Sequence, residues 1–257
     1  MDLVLYEVKD RIGYITLNRP EKRNALSFEL VAGLKETLTN AESDPMVKVI
    51  VLRANGDAFC AGADLAYLQQ LQHFSFEENL TDSNHLKELF LKIYQSKKVV
   101  IAQVQGHALA GGCGLATVCD FVFAVPEAKF GYTEVKIGFI PAIVLVFLIR
   151  KIGEQKAKHL LLSGELAQGN DAVGFGLVNF LVSKDQLESK TAEFAQRLIK
   201  NNSGHSMAMT KQMIDRVQSQ SLDEALSYAT KMNAKMRASE DCKKGIASFL
   251  NKENLSW

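Results

Sequence analysis

The stretch GHALAGGCGLATVCD, residues 106–120, carries the strongest structural signal in the chain. It follows the β-branched run Val99–Val104, whose composition is typical of a buried strand. Gly111 and Gly112 let the backbone approach another group closely, and they open a predicted helix that ends before Asp120. A helix N-terminus offers free N–H groups and the positive end of the helix dipole. The stretch therefore predicts a strand, a tight loop and a helix that directs its N-terminus at a ligand.

Two further segments complete this signal: AFCAGADL at residues 58–65 and FGYTE at residues 130–134. Taken singly, the glycines predict turns or close packing, Asp64 predicts a helix N-cap, and Glu134 predicts a surface carboxylate. Taken together, the loops supply two backbone N–H donors for one oxygen, and Glu134 supplies a carboxylate that moves a proton. This is the minimum for stabilising an enolate formed from a thioester, where one fixed donor typically lowers the barrier by about 2.7–4 kcal/mol.

Strand and helix patterns alternate over most of the chain. The predicted strands lie at residues 14–17, 47–52, 99–104, 121–125 and 178–182. Ser27 is the predicted N-cap of a helix that runs to residue 42, and another helix is predicted at 86–95. The segment 74–84 is polar, lacks periodicity and is predicted to be mobile. The alternation predicts an α/β fold with parallel strands.

The patterns become almost entirely helical from residue 184 onward. Helices are predicted at 186–200, 206–218, 222–236 and 241–251. No linker rich in proline, glycine or serine precedes them. We therefore predict an α/β core at residues 1–183 that contains the active site, and a C-terminal helical region at 184–257 that serves packing and oligomerisation.

The composition argues against several classes of protein. The 30 basic residues nearly balance the 29 acidic ones, so no nucleic-acid partner is expected. The longest apolar run, residues 138–149, is shorter than the ~20 residues of a membrane span, so no membrane partner is expected. The chain opens without a secretory signal, and its four cysteines form no Cys-x-x-Cys pair. These features favour reduced thiols and a cytoplasmic location.

Motifs for other chemistries are incomplete. His107, Cys113 and Cys119 lack the spacing and the fourth ligand of a metal site, so no metal is expected. The glycines at 112 and 114 match only part of a dinucleotide-binding fingerprint. The chain contains neither a Gly-x-Ser-x-Gly elbow nor a P-loop.

Four segments together resemble a known family: RPEKRNALS at 19–27, then 58–65, 106–120 and 130–141. They are similar to the crotonase superfamily, also called the enoyl-CoA hydratase/isomerase family, and the similarity covers essentially the whole chain. The resemblance implies a spiral of β-β-α units followed by a C-terminal helical region. It also implies a homotrimer, often paired into a homohexamer. The implied substrate is an acyl-CoA thioester, and no separate cofactor is expected because coenzyme A belongs to the substrate.

The resemblance assigns catalytic roles to three residues. The amides of Ala63 and Gly111 would donate to the thioester oxygen, and Glu134 would shuttle a proton. An apolar environment would raise the pKa of Glu134 by disfavouring its charged form. The flanking residues that could provide this environment are Phe130, Tyr132, Phe139 and Ile140.

Contacts to coenzyme A follow from the same resemblance. The Arg23 side chain would lie near the phosphates, and the Ala61 carbonyl and the backbone of residues 64–65 would border the adenine. Two C-terminal residues would reach coenzyme A from a neighbouring subunit. The complete set of expected binding residues is Arg23, Ala61, Asp64, Leu65, Phe249 and Lys252.

One position departs from the family pattern. Hydratases of this family that use two glutamates carry the second where this chain has Gly114. With Glu134 alone, the favoured function is still hydration of a 2-enoyl-CoA, or the reverse dehydration, with one carboxylate acting as base and then as acid. Isomerisation of a 3-enoyl-CoA to a 2-enoyl-CoA, hydrolysis of an acyl-CoA and non-catalytic acyl-CoA binding stay open. The stretch 130–152 also resembles bacterial methylglutaconyl-CoA hydratases, which would place the protein in branched-chain acyl-CoA breakdown.

Overall fold

The computed structural model describes residues 2–257 and contains two β-sheets surrounded by helices. The larger sheet consists, in spatial order, of β1 (Val4–Lys9), β2 (Ile12–Leu17), β3 (Val49–Ala54), β5 (Val99–Val104), β7 (Phe121–Ala124) and β10 (Phe180–Leu181). The smaller sheet consists of β4 (Ala58–Cys60), β6 (His107–Leu109), β8 (Lys129–Gly131) and β9 (Ala167–Gln168).

Helices fill most of the remaining chain. They are α1 (Phe28–Ser43), α2 (Leu65–Leu71), α3 (Phe76–Tyr94), α4 (Gly111–Val118), α5 (Ala142–Ile152), α6 (Glu154–Ser163), α7 (Asn170–Phe175), α8 (Leu187–Asn201), α9 (Gly204–Val217), α10 (Leu222–Arg237) and α11 (Glu240–Leu250). Short 3-10 turns lie at Pro20–Lys22 and Glu134–Ile137. Every helix in the described part of the chain is too short or too polar to span a lipid bilayer.

The two sheets arise from a repeated β-β-α unit. In each unit the first strand (β3, β5 or β7) joins the large sheet, and the next strand (β4, β6 or β8) joins the small one. Neighbouring strands of successive units are parallel in both sheets. The antiparallel pairs are β1 with β2 and β8 with β9. This is the predicted α/β spiral, and the C-terminal region after β10 is helical as expected.

The strand predictions found five of the six strands of the large sheet, missed its edge strand β1, and missed the small sheet. The runs at 14–17, 47–52, 99–104 and 121–125 match β2, β3, β5 and β7 closely, whereas 178–182 yields only the two-residue strand β10. The strands of the small sheet are two or three residues long, which is too short for a periodic pattern to show. Two of them, β4 and β6, lie in the segments that were interpreted as glycine loops.

Most of the segment 74–84, in which no periodic pattern was found, is helical, and its predicted mobility stays a prediction. Helix α3 begins at Phe76 and continues through the predicted 86–95 helix to Tyr94. Ser75 caps it: the Ser75 hydroxyl accepts from the Glu78 amide, and the Glu78 carboxylate accepts from the Ser75 amide. This capping box was present in the sequence, but the mostly exposed first turns of α3 lack an apolar face.

The core lies between the large sheet and the helices packed on it. All six residues of β2 are buried, and α1 covers the sheet with Leu30, Leu34 and Leu38, as its periodicity predicted. Helix α8 also belongs to this core, because Phe194 packs against rings of the sheet strands at 4.8–5.4 Å between centroids. The division at residue 183 therefore stays a prediction about organisation, and α8 beyond it packs on the sheet.

Buried charges hold the C-terminus of α4. The Lys151 ammonium donates to the carbonyls of Thr117 at 3.0 Å and Cys119 at 2.9 Å. The Asp120 carboxylate accepts from the Val100 amide and from Lys211, each at 2.7 Å. These hydrogen bonds give Asp120 a structural role. These contacts fix the helix whose other end faces the glycine loops.

Candidate active site

The first glycine loop is bonded on both sides of Ala63 to Leu26. The Leu26 amide donates to the Gly62 carbonyl at 2.7 Å, and the Leu26 carbonyl accepts from the Asp64 amide at 2.9 Å. This parallel bridge uses the groups on either side of Ala63 and turns the N–H of Ala63 to the other side of the strand. Ala63 is exposed, and within residues 2–257 its N–H donates no hydrogen bond.

The N-terminus of α4 lies against this loop. Gly111 is the first residue of α4, so its N–H has no partner inside the helix. A Cβ built on Gly62, where φ is +95°, would lie 3.6 Å from the Gly111 nitrogen and 2.8 Å from the Ala110 Cβ. A Cβ built on Gly111 would lie 3.0 Å from the Leu26 Cδ1. The structure therefore brings the loops that carry the Ala63 and Gly111 amides into contact.

A strained residue sets the direction of the Gly111 amide. Ala110 has φ 49° and ψ −123°, a conformation that residues with a side chain rarely adopt. The turn before α7 has nearly the same angles, but it uses Gly169. The Ala110 amide donates to the Gly131 carbonyl at 2.8 Å, and the Ala110 carbonyl accepts from the Gly114 amide at 3.0 Å. These two bonds hold Ala110 in place.

Glu134 begins a 3-10 turn directly beyond β8. Gly131, the last residue of β8, pairs with Leu109 and bonds to Ala110, so Glu134 follows a strand that is tied to the start of α4. The Glu134 Oε2 atom is enclosed and has no hydrogen-bond partner among residues 2–257. Burial raises the pKa of Glu134 above its ordinary value, and a hydrogen bond to its own backbone N–H opposes part of that shift. The raised pKa agrees with the expectation from the sequence.

The surroundings of Glu134 match the prediction only in part. Phe130 and Tyr132 are fully buried, as expected. Phe139 and Ile140 are instead 57% and 65% exposed, so their predicted part in the apolar environment is wrong for the single chain. The reason is that the chain after Glu134 runs along the surface until α5 begins.

We expect Glu134→Gln to stabilise the folded protein at neutral pH. Because the folded-state pKa is raised, ionisation of Glu134 costs stability at any pH above it. Below the unfolded-state pKa both states are protonated and this cost vanishes. The Tm of the variant should exceed that of the wild type at neutral pH, and the difference should shrink as pH falls. Thermal unfolding between about pH 4 and pH 8 tests this, with the exposed Glu127→Gln as control. A gain in Tm that does not change with pH would contradict the explanation.

Apolar side chains occupy the space that an acidic side chain at position 114 would need. Gly114 lies one helical turn after Gly111, on the same face of α4. A Cβ on Gly114 would collide with Val144 of α5 and lie 3.1 Å from the Phe90 Cζ of α3. The three residues are buried together, which leaves no room for a second carboxylate here. Glu134 is thus the acidic side chain that the structure places beyond the glycine loops.

The Asp64 side chain has a structural role. It is buried and accepts from the amides of Ala66 at 2.9 Å and Tyr67 at 3.3 Å, which confirms the predicted N-cap of α2. It also pairs with Arg19 at 2.7 Å. These contacts occupy the carboxylate, so the expected contribution of Asp64 to coenzyme A binding can involve only its backbone.

Three of the residues expected at coenzyme A lie beside the first loop. The Ala61 amide donates to the Arg23 carbonyl at 3.0 Å, and the Arg23 side chain is exposed. Leu65 is the first residue of α2 and is 76% exposed. Asn24 shapes this region: it has φ +54°, and its buried amide group donates to the carbonyls of Asn55 and Ala58, each at 2.9 Å. An open surface bearing a basic side chain therefore flanks the Ala63 amide.

The structure does not bring Phe249 and Lys252 to these loops. Both lie at the end of α11 and are exposed, Phe249 by 84%. The tail after them bonds to Arg11 and Lys200, through the Trp257 carbonyl and amide. Arg11 precedes β2, so it lies near the N-terminal ends of the parallel strands, whereas the glycine loops lie beyond the C-terminal ends. Their role at a neighbouring subunit stays a prediction.

Several residues that shape the site were missed from sequence. Leu26 pairs with Ala63 of the first loop, Ala110 adopts the strained turn, and Val144 fills the space beside Gly114. Leu26 and Val144 look like ordinary core residues, and no local pattern marks an alanine with positive φ. The left-handed turn at Arg23 and Asn24, close to Leu26, was the one feature with a signal in the sequence, because asparagine is enriched among residues with positive φ.

The arrangement suits proton transfer beside a developing oxyanion. Two loops with unbonded amides meet, and a half-buried carboxylate with one enclosed oxygen and a raised pKa follows the strand bonded to one of them. Within residues 2–257, no three His, Cys, Asp or Glu side chains are grouped to hold a metal ion. Cys113, beside the site, is fully buried, which raises the pKa of its thiol to about 11 and makes it a poor nucleophile.

Comparison with known proteins gives a consistent result. Residues 7–257 match the family described as enoyl-CoA hydratase/isomerase. A Thermus thermophilus protein, provisionally named an enoyl-CoA hydratase, is 40% identical over 95% of this chain and 96% of its own. The crotonyl-CoA hydratase of Syntrophomonas wolfei is 30% identical over 99% of this chain and 97% of its own. A Legionella pneumophila crystal structure, provisionally named an enoyl-CoA hydratase/isomerase, has 39% identity and a TM-score of 0.89, covering 98% of both chains.

Proposed function

The chain belongs to the enoyl-CoA hydratase/isomerase family, also called the crotonase superfamily, and we propose that it adds water across the double bond of a 2-enoyl-CoA thioester or catalyses the reverse dehydration. The observation that carries this proposal is the enclosed, unpartnered Oε2 atom of Glu134, which follows shortly after β8, the strand bonded to Ala110 at the start of α4. The similarity to a crotonyl-CoA hydratase, which extends over nearly the full length of both chains, supports it. The reaction needs no cofactor besides the coenzyme A of the substrate.

In the proposed mechanism Glu134 acts as base and then as acid. The ionised carboxylate takes a proton from a water molecule, whose oxygen forms a bond to Cβ of the substrate. The π electrons move to give an enolate, whose oxygen accepts hydrogen bonds from the amides of Ala63 and Gly111. Glu134 then returns the proton to Cα, and the oxyanion collapses to the thioester. The net change is addition of one water, with the enzyme restored.

The apolar packing beside Gly114 is the observation that favours a second candidate. Val144 and Phe90 exclude a carboxylate at position 114, and in the proposed mechanism Glu134 alone transfers the proton. Such a site also suits isomerisation of a 3-enoyl-CoA, in which Glu134 removes a proton from C2 and returns it to C4. Hydration passes through a 3-hydroxy enolate and isomerisation through a conjugated dienolate, and both carry negative charge on the thioester oxygen. The two reactions therefore differ in whether a water molecule fits between Glu134 and Cβ.

Product analysis by mass spectrometry separates these functions. The panel contains straight and branched 2-enoyl and 3-enoyl thioesters, including 3-methylglutaconyl-CoA, and is run in heavy water. A product heavier by one added heavy water establishes hydration and identifies the acyl group. Rearranged product without added water establishes isomerisation. Free coenzyme A would indicate hydrolysis, and thioesters that bind but return unchanged and without deuterium would refute both proposed reactions.

We also propose a homotrimer or homohexamer. The last two helices leave large apolar side chains exposed, at Leu222, Leu226, Ile246, Phe249 and Leu250. Exposed apolar surface on this scale is typical of protein interfaces. Light scattering after gel filtration should give three or six times the 28.4 kDa chain mass. A monomer mass would contradict the proposal, and with it the role of Phe249 at a neighbouring site.

A further inference from the structure

A buried polar cluster lies directly behind the proposed acid/base. The Tyr132 hydroxyl is fully buried and forms a 2.7 Å hydrogen bond with the Thr117 Oγ1. The Cys113 thiol lies beside both hydroxyl groups, and Glu134 is close enough to influence both Cys113 and Tyr132 electrostatically. The mechanism proposed above assigns no role to the side chains of Tyr132, Thr117 or Cys113.

The cluster joins the two parts of the site. Thr117 and Cys113 belong to α4, whose first residue supplies the Gly111 amide. Tyr132 stands two residues before Glu134. A hydrogen bond between Thr117 and Tyr132 therefore fixes the strand that leads to the carboxylate against the helix that carries the oxyanion donor.

Few other contacts fix this segment. The β6–β8 ladder consists of two residue pairs and ends at Gly131. Beyond it Thr133 makes no side-chain cap to the following turn, and Glu134 itself has an unpartnered oxygen. Tyr132 is the fully buried residue between the last ladder pair and Glu134. Its ring packs in the core, and its hydroxyl is hydrogen-bonded to Thr117 of α4.

We propose that Tyr132 is a positioning residue, whose hydrogen bond to Thr117 holds Glu134 at a fixed place relative to the Gly111 amide. This inference rests on the proposed function of Glu134. Near-attack geometry is demanding, and a misplacement of about 1 Å can cost about 100-fold in rate. The ring alone should suffice for folding, because Phe fills the same volume.

The test compares Tyr132→Phe with the double variant Thr117→Val/Tyr132→Phe. The single variant leaves the Thr117 hydroxyl without its partner, whereas the double variant removes both groups and should restore much of the stability. Tyr6→Phe is the matched control, because the Tyr6 hydroxyl is also buried but has no partner among residues 2–257. Each protein is examined for Tm, for kcat and KM with a turned-over thioester, and for the 13C signal of its Glu134 carboxyl group, assigned with Glu134→Gln.

We expect kcat to fall about 10- to 100-fold in both the single and the double variant, with KM changed by no more than about 2-fold. The Glu134 signal should shift or broaden in both variants and stay unchanged in Tyr6→Phe. An unchanged kcat, or a kcat that recovers together with Tm in the double variant, would overturn the proposal. If the wild type turns over no thioester, the proposed function fails, and the carboxyl signal alone then decides whether Tyr132 positions Glu134.

Discussion

Glu134→Gln should lower kcat by about 100- to 10,000-fold while the protein still binds acyl-CoA thioesters. The amide has nearly the same shape as the carboxylate but cannot accept a proton at neutral pH. The Ala63 and Gly111 amides are unaffected, so the affinity for a thioester should persist. Steady-state kinetics and calorimetric titration with a saturated acyl-CoA measure the two quantities separately.

The pH dependence provides an internal check on this variant. Burial raises the pKa of Glu134, and in the hydration direction its ionised form is the active one. Wild-type kcat/KM should therefore fall on the acid side, at a pH above the range of an ordinary glutamate. The residual activity of the variant should lack this limb, and exposed Glu127→Gln should keep it. Full activity of Glu134→Gln would remove Glu134 from the mechanism, and loss of thioester binding would show that its role is structural.

Gly112→Ala should damage both the fold and the oxyanion site. An added Cβ would collide with the Cys60 carbonyl, lying only 2.7 Å from its carbon and 2.8 Å from the Cys60 Cβ. The obstacle is backbone, so α4 must move away from β4. Such overpacking typically costs about 1–3 kcal/mol of stability. The movement would also separate the Gly111 amide from Ala63, and loss of one oxyanion donor costs about 100- to 1,000-fold in kcat.

Gly174→Ala is the matched control. Gly174 lies in α7, has no heavy atom within 4 Å of an added Cβ and does not need a positive φ. This substitution should leave kcat unchanged and stabilise the protein by about 0.4–1 kcal/mol, by restricting the unfolded chain. Denaturant unfolding and kinetics on both variants test the comparison. Wild-type kcat in a folded Gly112→Ala protein would argue against close contact between α4 and β4 as the source of the donor geometry.

Local patterns predicted the elements that are long and periodic. Helix α1 with its Ser27 cap, the central strands β3, β5 and β7, and the late helices all follow apolar spacing that depends on a few neighbouring residues. The elements that were missed lack such a local pattern. The first turns of α3 are mostly exposed and lack an apolar face, and the strands of the small sheet are stabilised by pairing partners that lie far away in sequence.

The features of the candidate site also separate into those that local sequence predicted and those that it did not. The Asp64 cap was predictable, because a cap is a contact between residues close in sequence. The bridge through Leu26, the strain at Ala110 and the collision of Val144 with position 114 were not, because each depends on an element from elsewhere in the chain. Phe139 and Ile140 show the reverse error, since apolar residues near an active-site motif stay exposed in the single chain.

The amino-acid sequence by itself determined the α/β class and the positions of the glycine loops, because residue type and spacing indicate these directly, and the resemblance to the family singled out Glu134. Only the tertiary structure decided that the two loops meet, that the Ala63 and Gly111 amides stay free of other partners, and that one Glu134 oxygen is enclosed without a hydrogen bond. It also decided that Val144 and Phe90 close the space beside Gly114. The physical reason is that burial, hydrogen-bond satisfaction and steric exclusion are properties of atoms brought together from distant parts of the chain.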